Sequence, residues 1–191
     1  MRPLRHCRFI RAVGFDDGPF PRTAGARVPL VGAVCSGTRF EGMVFGRVRK
    51  DGWNATDEIV RLLDGGKFLP QLHLVLLDGI AFGGFNVVDL DALARKLGRP
   101  CVAVMRRPPD LAAIQRALSR LRSADRRLNR MKRAGPIHQR QGFVFQVAAG
   151  EPDDVGEALV RITDTGRVPE ALRVAHLIGS ALATGESGRR A

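Results

Sequence analysis

Residues 72–77 form a nearly unbroken apolar run that ends directly at Asp78-Gly79. A run of this length, bounded by turn residues, is typical of a central strand covered on both faces. Such strands occur in sheets with helices on either side, so the run predicts an α/β fold. The strand also delivers a carboxylate at its carboxyl end, where open α/β sheets place their ligand sites.

A second predicted strand ends in the same way. Residues 8–15 alternate well enough between apolar and polar to form a strand, and they run into the turn-forming cluster Asp16-Asp17-Gly18-Pro19. If the two strands are neighbours, Asp16 and Asp78 converge. Two close carboxylates repel each other unless a cation lies between them, so the pair suggests Mg²⁺ or Mn²⁺. The alternative is that Asp before Gly is an ordinary turn dipeptide.

Patterns of the same kind predict the remaining elements. Further strands are predicted at residues 28–34, 40–48, 101–105 and 143–148. Helices are predicted from about 54 to 64, 87–97, 110–121, 125–133, 151–163 and 170–184. The first three strands should form an antiparallel meander that continues into parallel strands, with helices on both faces. No linker divides the chain, so residues 1–191 are expected to form one domain with flexible ends at 1–7 and 186–191.

Composition adds an excess of positive charge. The chain has 31 Lys and Arg against 19 Asp and Glu, a formal net charge of +12. Most of these cations are arginines, which bind phosphates bidentately, so a polyanionic partner is favoured. A G+C-rich genome that encodes Arg in place of Lys explains the same composition, and charge alone leaves both interpretations open.

Other classes of protein are disfavoured. The longest apolar runs fall far short of the roughly 18 residues that a membrane helix needs, and no apolar segment with a cleavage site follows the N-terminus. Cys7, Cys35 and Cys101 are scattered without metal-site spacing, which predicts buried small side chains. We therefore expect a cytoplasmic protein that makes no contact with a membrane.

A third acid has several candidates after the third strand. Asp51 precedes a glycine, and Asp57 and Glu58 lie in the first turn of the next helix. Acids in a first turn are also stabilised by the helix dipole without any function. His176 lies inside the last predicted helix, and its position alone favours a half-buried histidine that is tied to a backbone carbonyl.

Five short motifs follow one another along nearly the whole chain. They are Phe15-Asp16-Asp17-Gly18-Pro19-Phe20, Leu76-Leu77-Asp78-Gly79-Ile80, Gly84-Phe85-Asn86-Val87-Val88-Asp89, Pro169-Glu170-Ala171-Leu172-Arg173-Val174-Ala175-His176 and Gly185-Glu186-Ser187. Together they resemble the endonuclease dU family, which is similar to endonuclease V, a ribonuclease H-like nuclease of DNA repair. The resemblance implies a ribonuclease H-like three-layer fold with a mixed sheet.

The resemblance also implies roles for particular residues. Asp16 and Asp78 become the implied metal ligands, and His176 a residue near the metal that binds it or orients water. Asp57 or Glu58 stands where endonuclease V has its catalytic glutamate, and Asp57 is taken as the candidate.

Further residues complete the set of candidates. Asp17 and Asp51 are additional acids. The Pro-Tyr-Ile-Pro wedge with which endonuclease V opens the duplex is absent, and Trp53 is its candidate substitute in nucleic-acid binding. Arg106 and Arg107 are candidate phosphate contacts, with Arg189 and Arg190 as weaker ones.

These residues lead to a functional hypothesis. It is Mg²⁺-dependent hydrolysis of a DNA phosphodiester, with Mn²⁺ as a substitute, at or near a deaminated base such as deoxyuridine or deoxyinosine, without a nucleotide cofactor. One alternative is a non-catalytic nucleic-acid-binding module on a degenerate nuclease fold, which a third acid pointing to solvent would favour. The others are a hydrolase of RNA or damaged nucleotides and a scaffold that binds a protein through the arginine-rich helix 110–122.

Overall fold

Helices cover both faces of a central sheet in the computed structural model, which describes residues 4–188. The strands are β1 (Arg11–Asp17), β2 (Arg27–Ser36), β3 (Arg39–Arg49), β4 (Leu74–Asp78), β5 (Ala81–Phe82), β6 (Asn86–Val87), β7 (Cys101–Met105), β8 (His138–Arg140) and β9 (Phe143–Ala148). The helices are α1 (Ala55–Leu63), α2 (Leu90–Leu97), α3 (Leu111–Leu118), α4 (Ala124–Arg133), α5 (Pro152–Arg161) and α6 (Glu170–Thr184).

The main sheet has seven strands in the order β3-β2-β1-β4-β7-β9-β8. The first three form the predicted antiparallel meander. β1, β4 and β7 run parallel, and β9 and β8 extend the sheet in antiparallel fashion. The predicted α/β architecture with a mixed sheet is confirmed. β5 and β6 form a separate small hairpin after β4.

Side chains of the central strands alternate between two apolar layers. Val13 and Phe15 of β1 pack in the layer that contains the buried residues of α1 and α2. Ala12 of β1 and Leu76 of β4 pack in the opposite layer with α5 and the start of α6. Because successive residues of a strand point to opposite faces, Asp16 and Asp78 share the second face with Ala12 and Leu76.

Glycines let α6 lie directly on β1. A Cβ added at Gly14 would come within 2.5 Å of the carbonyl carbon of Ala171 in α6. A Cβ at Gly18 would come within 2.7 Å of the carbonyl oxygen of Gly179. Both neighbours are backbone atoms, so any larger residue at these two points must push the helix away. The close approach brings the middle of α6 over the end of β1.

Several predicted boundaries were wrong, for local reasons. The first strand runs over Arg11–Asp17 instead of 8–15, because Asp17 still pairs with Leu30 of β2. The helix predicted from 87 begins at Leu90, because the Asp89 side chain caps it by accepting a hydrogen bond from the Ala92 N–H.

Other sequence expectations have mixed outcomes. α3 ends at Leu118, before the predicted 121, and the short strands β5, β6 and β8 were not predicted. All three cysteines are buried, as predicted. Within residues 4–188, no helix is long and apolar enough to span a bilayer. Residues 1–3 and 189–191, which belong to the predicted flexible ends and include Arg189 and Arg190, lie outside the described part of the chain.

Candidate active site

Asp16 and Asp78 stand at the carboxyl ends of neighbouring parallel strands. The register pairs Phe15 with Leu77, so the next residue of each strand, Asp16 and Asp78, lies beside the other across one strand spacing of about 4.8 Å. Asp16 is only 5% exposed, and the Asp78 side chain is 23% exposed. The predicted adjacency of the two strands is confirmed, and with it the convergence of their carboxylates.

His176 joins this pair from α6. Its Nδ1 lies 2.8 Å from Oδ2 of Asp16, while Oδ1 of Asp16 accepts a hydrogen bond of 2.8 Å from the Asp17 N–H. The histidine that position alone would tie to a backbone carbonyl therefore has a carboxylate partner instead. The ring remains 31% exposed, so it borders the site without closing it.

These residues line one depression, which we call the acidic cleft. Its volume is about 420 Å³, and it is lined by Asp16, Asp17, Gly18, Pro19, Phe20, Asp78, Arg106 and His176. The Asp17 carboxylate accepts a hydrogen bond from the Gly83 N–H, in the loop between β5 and β6. The guanidinium of Arg106 lies 3.7 Å from Oδ2 of Asp78. Among the described residues that line the cleft, Arg106 is the one Arg or Lys beside three carboxylates.

Burial dominates the electrostatics of the cleft. Burial and, less strongly, the negative charge of Asp78 together raise the pKa of Asp16 to about 7, against the hydrogen bond with His176. Burial also raises the pKa of Asp17 and of Asp78, while Arg106 and His176 oppose the rise at Asp78. Buried, mutually repelling carboxylates in a cleft destabilise the folded chain and are typical of functional sites.

Replacing Asp78 with Asn should therefore stabilise the protein in EDTA at pH 8. The change removes one buried charge and its repulsion of Asp16, so we expect the free energy of unfolding to rise by about 1 kcal/mol and Tm by roughly 2–4 °C. Because the folded-state pKa of Asp16 is about 7 instead of its ordinary value of 3.8, the folded state binds protons more tightly, and stability falls as pH rises between those values.

Thermal unfolding at pH 5 and pH 8 checks this prediction. The gain from Asp78→Asn should be larger at pH 8, which lies above the pKa of about 7 of Asp16, than at pH 5. Mg²⁺ should raise Tm of the wild type more than Tm of the variant. A variant that is less stable at pH 8 in EDTA would contradict the repulsion argument.

The donor set fits an open cation site. Across residues 4–188, no three His, Cys, Asp or Glu side chains are arranged to hold a metal ion on their own. Mg²⁺ usually takes one or two carboxylates and completes its six positions with water and substrate phosphate, whereas structural zinc sites are closed by four protein ligands. The convergent, buried carboxylates of Asp16 and Asp78 therefore suit Mg²⁺ or Mn²⁺, with Asp17 beside them.

The other candidate acids lie elsewhere. Asp57 is exposed on α1 and forms an ion pair of 2.9 Å with Lys96. Glu58 is paired with Arg61 and accepts the N–H of Arg47. Asp51 accepts the N–H of Phe85 and so fixes a loop. The structure does not bring these three side chains into the acidic cleft, whereas Asp17 is part of its lining.

Trp53 is covered by α4. The guanidinium carbons of Arg126, Arg127 and Arg130 lie 4.5, 4.3 and 5.0 Å from the centroid of its ring. Arg127 is 4% exposed and donates to the carbonyl oxygens of Asp51, Gly52 and Phe85. Trp53 therefore packs under cationic side chains that fasten α4 to the loop after β3 and to the turn between β5 and β6.

A second depression continues from the acidic cleft, and we call it the strand-end groove. It has a volume of about 570 Å³ and is lined by Asp78, Gly79, Val104, Met105, Arg106, Arg107, Pro108, Pro109 and Asp110. Both predicted phosphate contacts, Arg106 and Arg107, lie here. Asp78 and Arg106 belong to both depressions, so the two form one continuous surface.

Two features of the site were not predicted from the sequence. The first is the Gly83-Gly84 turn, whose N–H binds Asp17; φ angles of +55° and +85° explain the paired glycines and were a readable signal. The second is Arg127, whose partners lie more than 40 positions away. No local pattern marks such a residue.

Most of the chain matches a known protein family. Residues 8–183 match the family described as endonuclease dU. The chain is also similar to the UPF0215 protein of Methanothermobacter thermautotrophicus, with 42% identity over 184 residues that cover 93% of this chain and 90% of the relative. Sequence similarity therefore extends over nearly the full length of both proteins.

Solved structures agree in fold. A protein of unknown function from Archaeoglobus fulgidus superposes with a TM-score of 0.84 and 32% identity, covering 91% of this chain and 98% of its own. Endonuclease V from Bacillus subtilis gives a TM-score of 0.61 at 12% identity, with 97% and 84% covered. Ciona intestinalis endonuclease V, in complex with DNA that contains an inosine, gives 0.51 at 15% identity, with 88% and 83% covered. The fold is thus ribonuclease H-like.

Proposed function

This chain belongs to the endonuclease dU family, and from that premise we propose that it is a metal-dependent endonuclease that cuts DNA at or near a deaminated base, deoxyuridine or deoxyinosine. One observation carries the proposal. Asp16, Asp78 and His176, which come from two strands and a helix far apart in sequence, meet in one cleft with perturbed carboxyl groups. A purely structural role for buried, repelling carboxylates has no evident benefit.

The residues of the cleft divide the work. Asp16 and Asp78 would hold Mg²⁺. Asp17, which follows Asp16 in the sequence and lines the same cleft, would be the further acid. Bound Mg²⁺ lowers the pKa of water and stabilises charge on the leaving oxygen. His176 is oriented by Asp16 through Nδ1 and can hold or move a proton at Nε2. Arg106 neutralises a substrate phosphate at the edge of the carboxylates.

The substrate follows from charge and from base chemistry. A net charge of +12 favours a polyanion. A deaminated base pairs poorly, so extruding it from the duplex costs less than the few kcal/mol that a normal base requires, and the difference gives selectivity. Ciona intestinalis endonuclease V, which shares the fold, was crystallised with DNA that contains an inosine. This complex supports the same class of substrate.

One observation favours a second candidate, a non-catalytic nucleic-acid-binding module. Asp57 is exposed and Glu58 is paired with Arg61, so neither supplies the third acid expected after the third strand. In this alternative the fold and the basic surface persist without hydrolysis. Whether cleavage depends on Asp17 distinguishes the two candidate functions, because Asp17 is the further acid in the cleft.

Cleavage assays test the proposed function. Labelled DNA with a single deoxyuridine, deoxyinosine or undamaged base is incubated with Mg²⁺, Mn²⁺ or EDTA, in competition with RNA and with free nucleotides. The proposal expects metal-dependent nicks next to the deaminated base. Binding without nicks under all metal conditions would support the module, and preferential loss of RNA or nucleotides would support a different hydrolase.

Binding should depend steeply on salt. Each neutralised phosphate contributes about −0.9 to the slope of log affinity against log salt concentration. Replacing both Arg106 and Arg107 with Gln should make the slope shallower by about 1 to 2. Arg39→Gln is the matched control, because Arg39 is exposed at the opposite end of the sheet. Fluorescence anisotropy at salt concentrations from about 50 to about 300 mM measures the slope. An unchanged slope in the double variant would remove these arginines from the interface.

A further inference from the structure

An apolar cavity opens from the far end of the strand-end groove. Its volume is about 500 Å³, within the range of roughly 300–1,000 Å³ typical of small-molecule sites. The lining includes the apolar side chains of Ile80, Met105, Ile114, Leu128, Met131 and Ile137. Met105 and Pro109 line both the cavity and the strand-end groove. A continuous surface therefore leads from Asp16 and Asp78 through the groove into the cavity.

A single buried amide stands in the wall of this cavity. Gln146 lies in the middle of β9 and is 6% exposed. Its Nε2 donates to the carbonyl oxygens of Gly135, at 2.7 Å, and Met131, at 3.4 Å, which terminate α4. Both partners can only accept, so the orientation of the amide is fixed, with nitrogen toward the helix and oxygen on the other side.

The oxygen of this amide makes no hydrogen bond within the described part of the chain. Within residues 4–188, both hydrogen bonds of the Gln146 side chain come from its nitrogen. Oε1 is not among the fully buried polar atoms that lack a partner, so part of its surface is accessible, and the residue lines the cavity. The cavity thus offers a largely apolar slot in which Gln146 presents an acceptor that cannot rotate into a donor.

The wall that carries this amide is held in place. Arg127 of α4 donates to the backbone carbonyls of residues 51–52 and of Phe85, and Arg130 donates to the carbonyl of Val87 in β6. The carbonyls that orient Gln146 belong to the end of the same helix. A fixed acceptor on a rigid wall can discriminate between ligands, because an unmatched partner cannot be accommodated by a change of rotamer.

We infer that this cavity receives the extruded base and that Gln146 is the residue that distinguishes a deaminated base from its parent. The inference rests on the proposed function and specifies its recognition step. Uracil carries an N3–H and hypoxanthine an N1–H, where cytosine and adenine carry a lone pair. Oε1 of Gln146 accepts from the N–H of either deaminated base and repels the lone pair of either parent. One acceptor therefore suits both substrates.

Binding to single-stranded oligonucleotides tests this directly. Three oligonucleotides differ only at one central residue, which is deoxyuridine, 3-methyldeoxyuridine or deoxycytidine, and EDTA prevents cleavage. Backbone affinity is common to all three, so their ratio isolates the base. We expect the wild type to bind deoxyuridine about tenfold or more tightly than either of the others, since a buried acceptor without its donor is costly.

Two variants locate the effect. Gln146→Met should bring the deoxyuridine to deoxycytidine ratio to within about twofold of unity, because the acceptor is lost. Gln139→Met is the matched control, because Gln139 is exposed on the neighbouring strand β8 and is not among the residues that line the cavity, so this variant should keep the wild-type ratio. Thermal unfolding shows whether each variant is folded, and the oligonucleotide comparison on the wild type stands if Gln146→Met is not.

The outcomes separate this inference from the proposed activity. A wild type that does not prefer deoxyuridine over the methylated or cytosine base overturns the role of Gln146, as does a folded Gln146→Met protein that keeps the preference. Cleavage with Mg²⁺ is scored separately. A protein that prefers deoxyuridine but cuts no DNA refutes the endonuclease and keeps the recognition step.

Discussion

Replacing Asp78 with Asn should lower the rate of DNA cleavage by a factor of about 10³ or more, equivalent to about 4 kcal/mol of transition-state stabilisation. Asp78 and Asp16 meet at the ends of adjacent strands, and an amide at either position is a poor ligand for a divalent cation. DNA binding should persist or become tighter, because a negative charge that repels phosphate is removed. Single-turnover cleavage and anisotropy in EDTA measure the two effects separately.

A matched control keeps this result specific. Asp64→Asn removes a carboxylate from an exposed residue at the end of α1, and the cleavage rate should stay within about twofold of the wild type. An undiminished rate of cleavage by Asp78→Asn would contradict the proposed mechanism. Loss of cutting together with loss of thermal stability would indicate misfolding, which is opposite to the gain in Tm expected for this variant.

The third acid is open to the same assay. Asp17→Asn should reduce cleavage substantially if Asp17 supplies it, because this residue lines the cleft with Asp16 and Asp78. Asp57→Asn separates the assignment implied by the resemblance from the one that the geometry favours. A loss of activity in Asp57→Asn with full activity in Asp17→Asn would return the role to α1.

The convergence of Asp16 and Asp78 could be predicted from the sequence because it depends on local patterns. Each acid directly follows a buried strand, and neighbouring parallel strands bring their carboxyl ends to one edge of the sheet. The sequence also contains the information that Asp57 lies on the exposed side of α1. Ile59 and Leu63 mark the buried side of α1, and a residue two positions before Ile59 lies on the opposite side of a helix.

The rest of the site depends on contacts between distant segments. In the sequence, Gln146 has the pattern of an ordinary strand residue. Its contact with the end of α4 becomes known only from the structure. Arg127 looks like one of many surface arginines, yet it is buried against loops about 75 and 42 positions away. Periodicity reports which side of an element is apolar, and it carries no information about which distant carbonyl a polar side chain meets.

Replacing Gly14 with Ala should cost about 3 kcal/mol of stability and lower Tm by roughly 6–12 °C. The added Cβ would lie 2.5–2.8 Å from the backbone of Ala171 and Leu172, and backbone atoms cannot yield as a flexible side chain can. α6 must therefore move outward, carrying His176 away from Asp16. A displacement of about 1 Å at a reacting group can cost roughly 10²-fold in rate, so cleavage should fall more than stability alone explains.

Gly166→Ala separates crowding from backbone preference in this prediction. Gly166 has φ of +75° and nothing within 4 Å of the position of its Cβ, so the substitution costs only the left-handed conformation, about 1–2 kcal/mol. Chemical denaturation measures the free energy of unfolding of both variants. Cleavage at about 25 °C measures the rate of the molecules that remain folded. A Gly14→Ala protein as stable as Gly166→Ala, or one with an unchanged rate, would mean that α6 does not depend on close contact with β1 to hold His176 over the carboxylates.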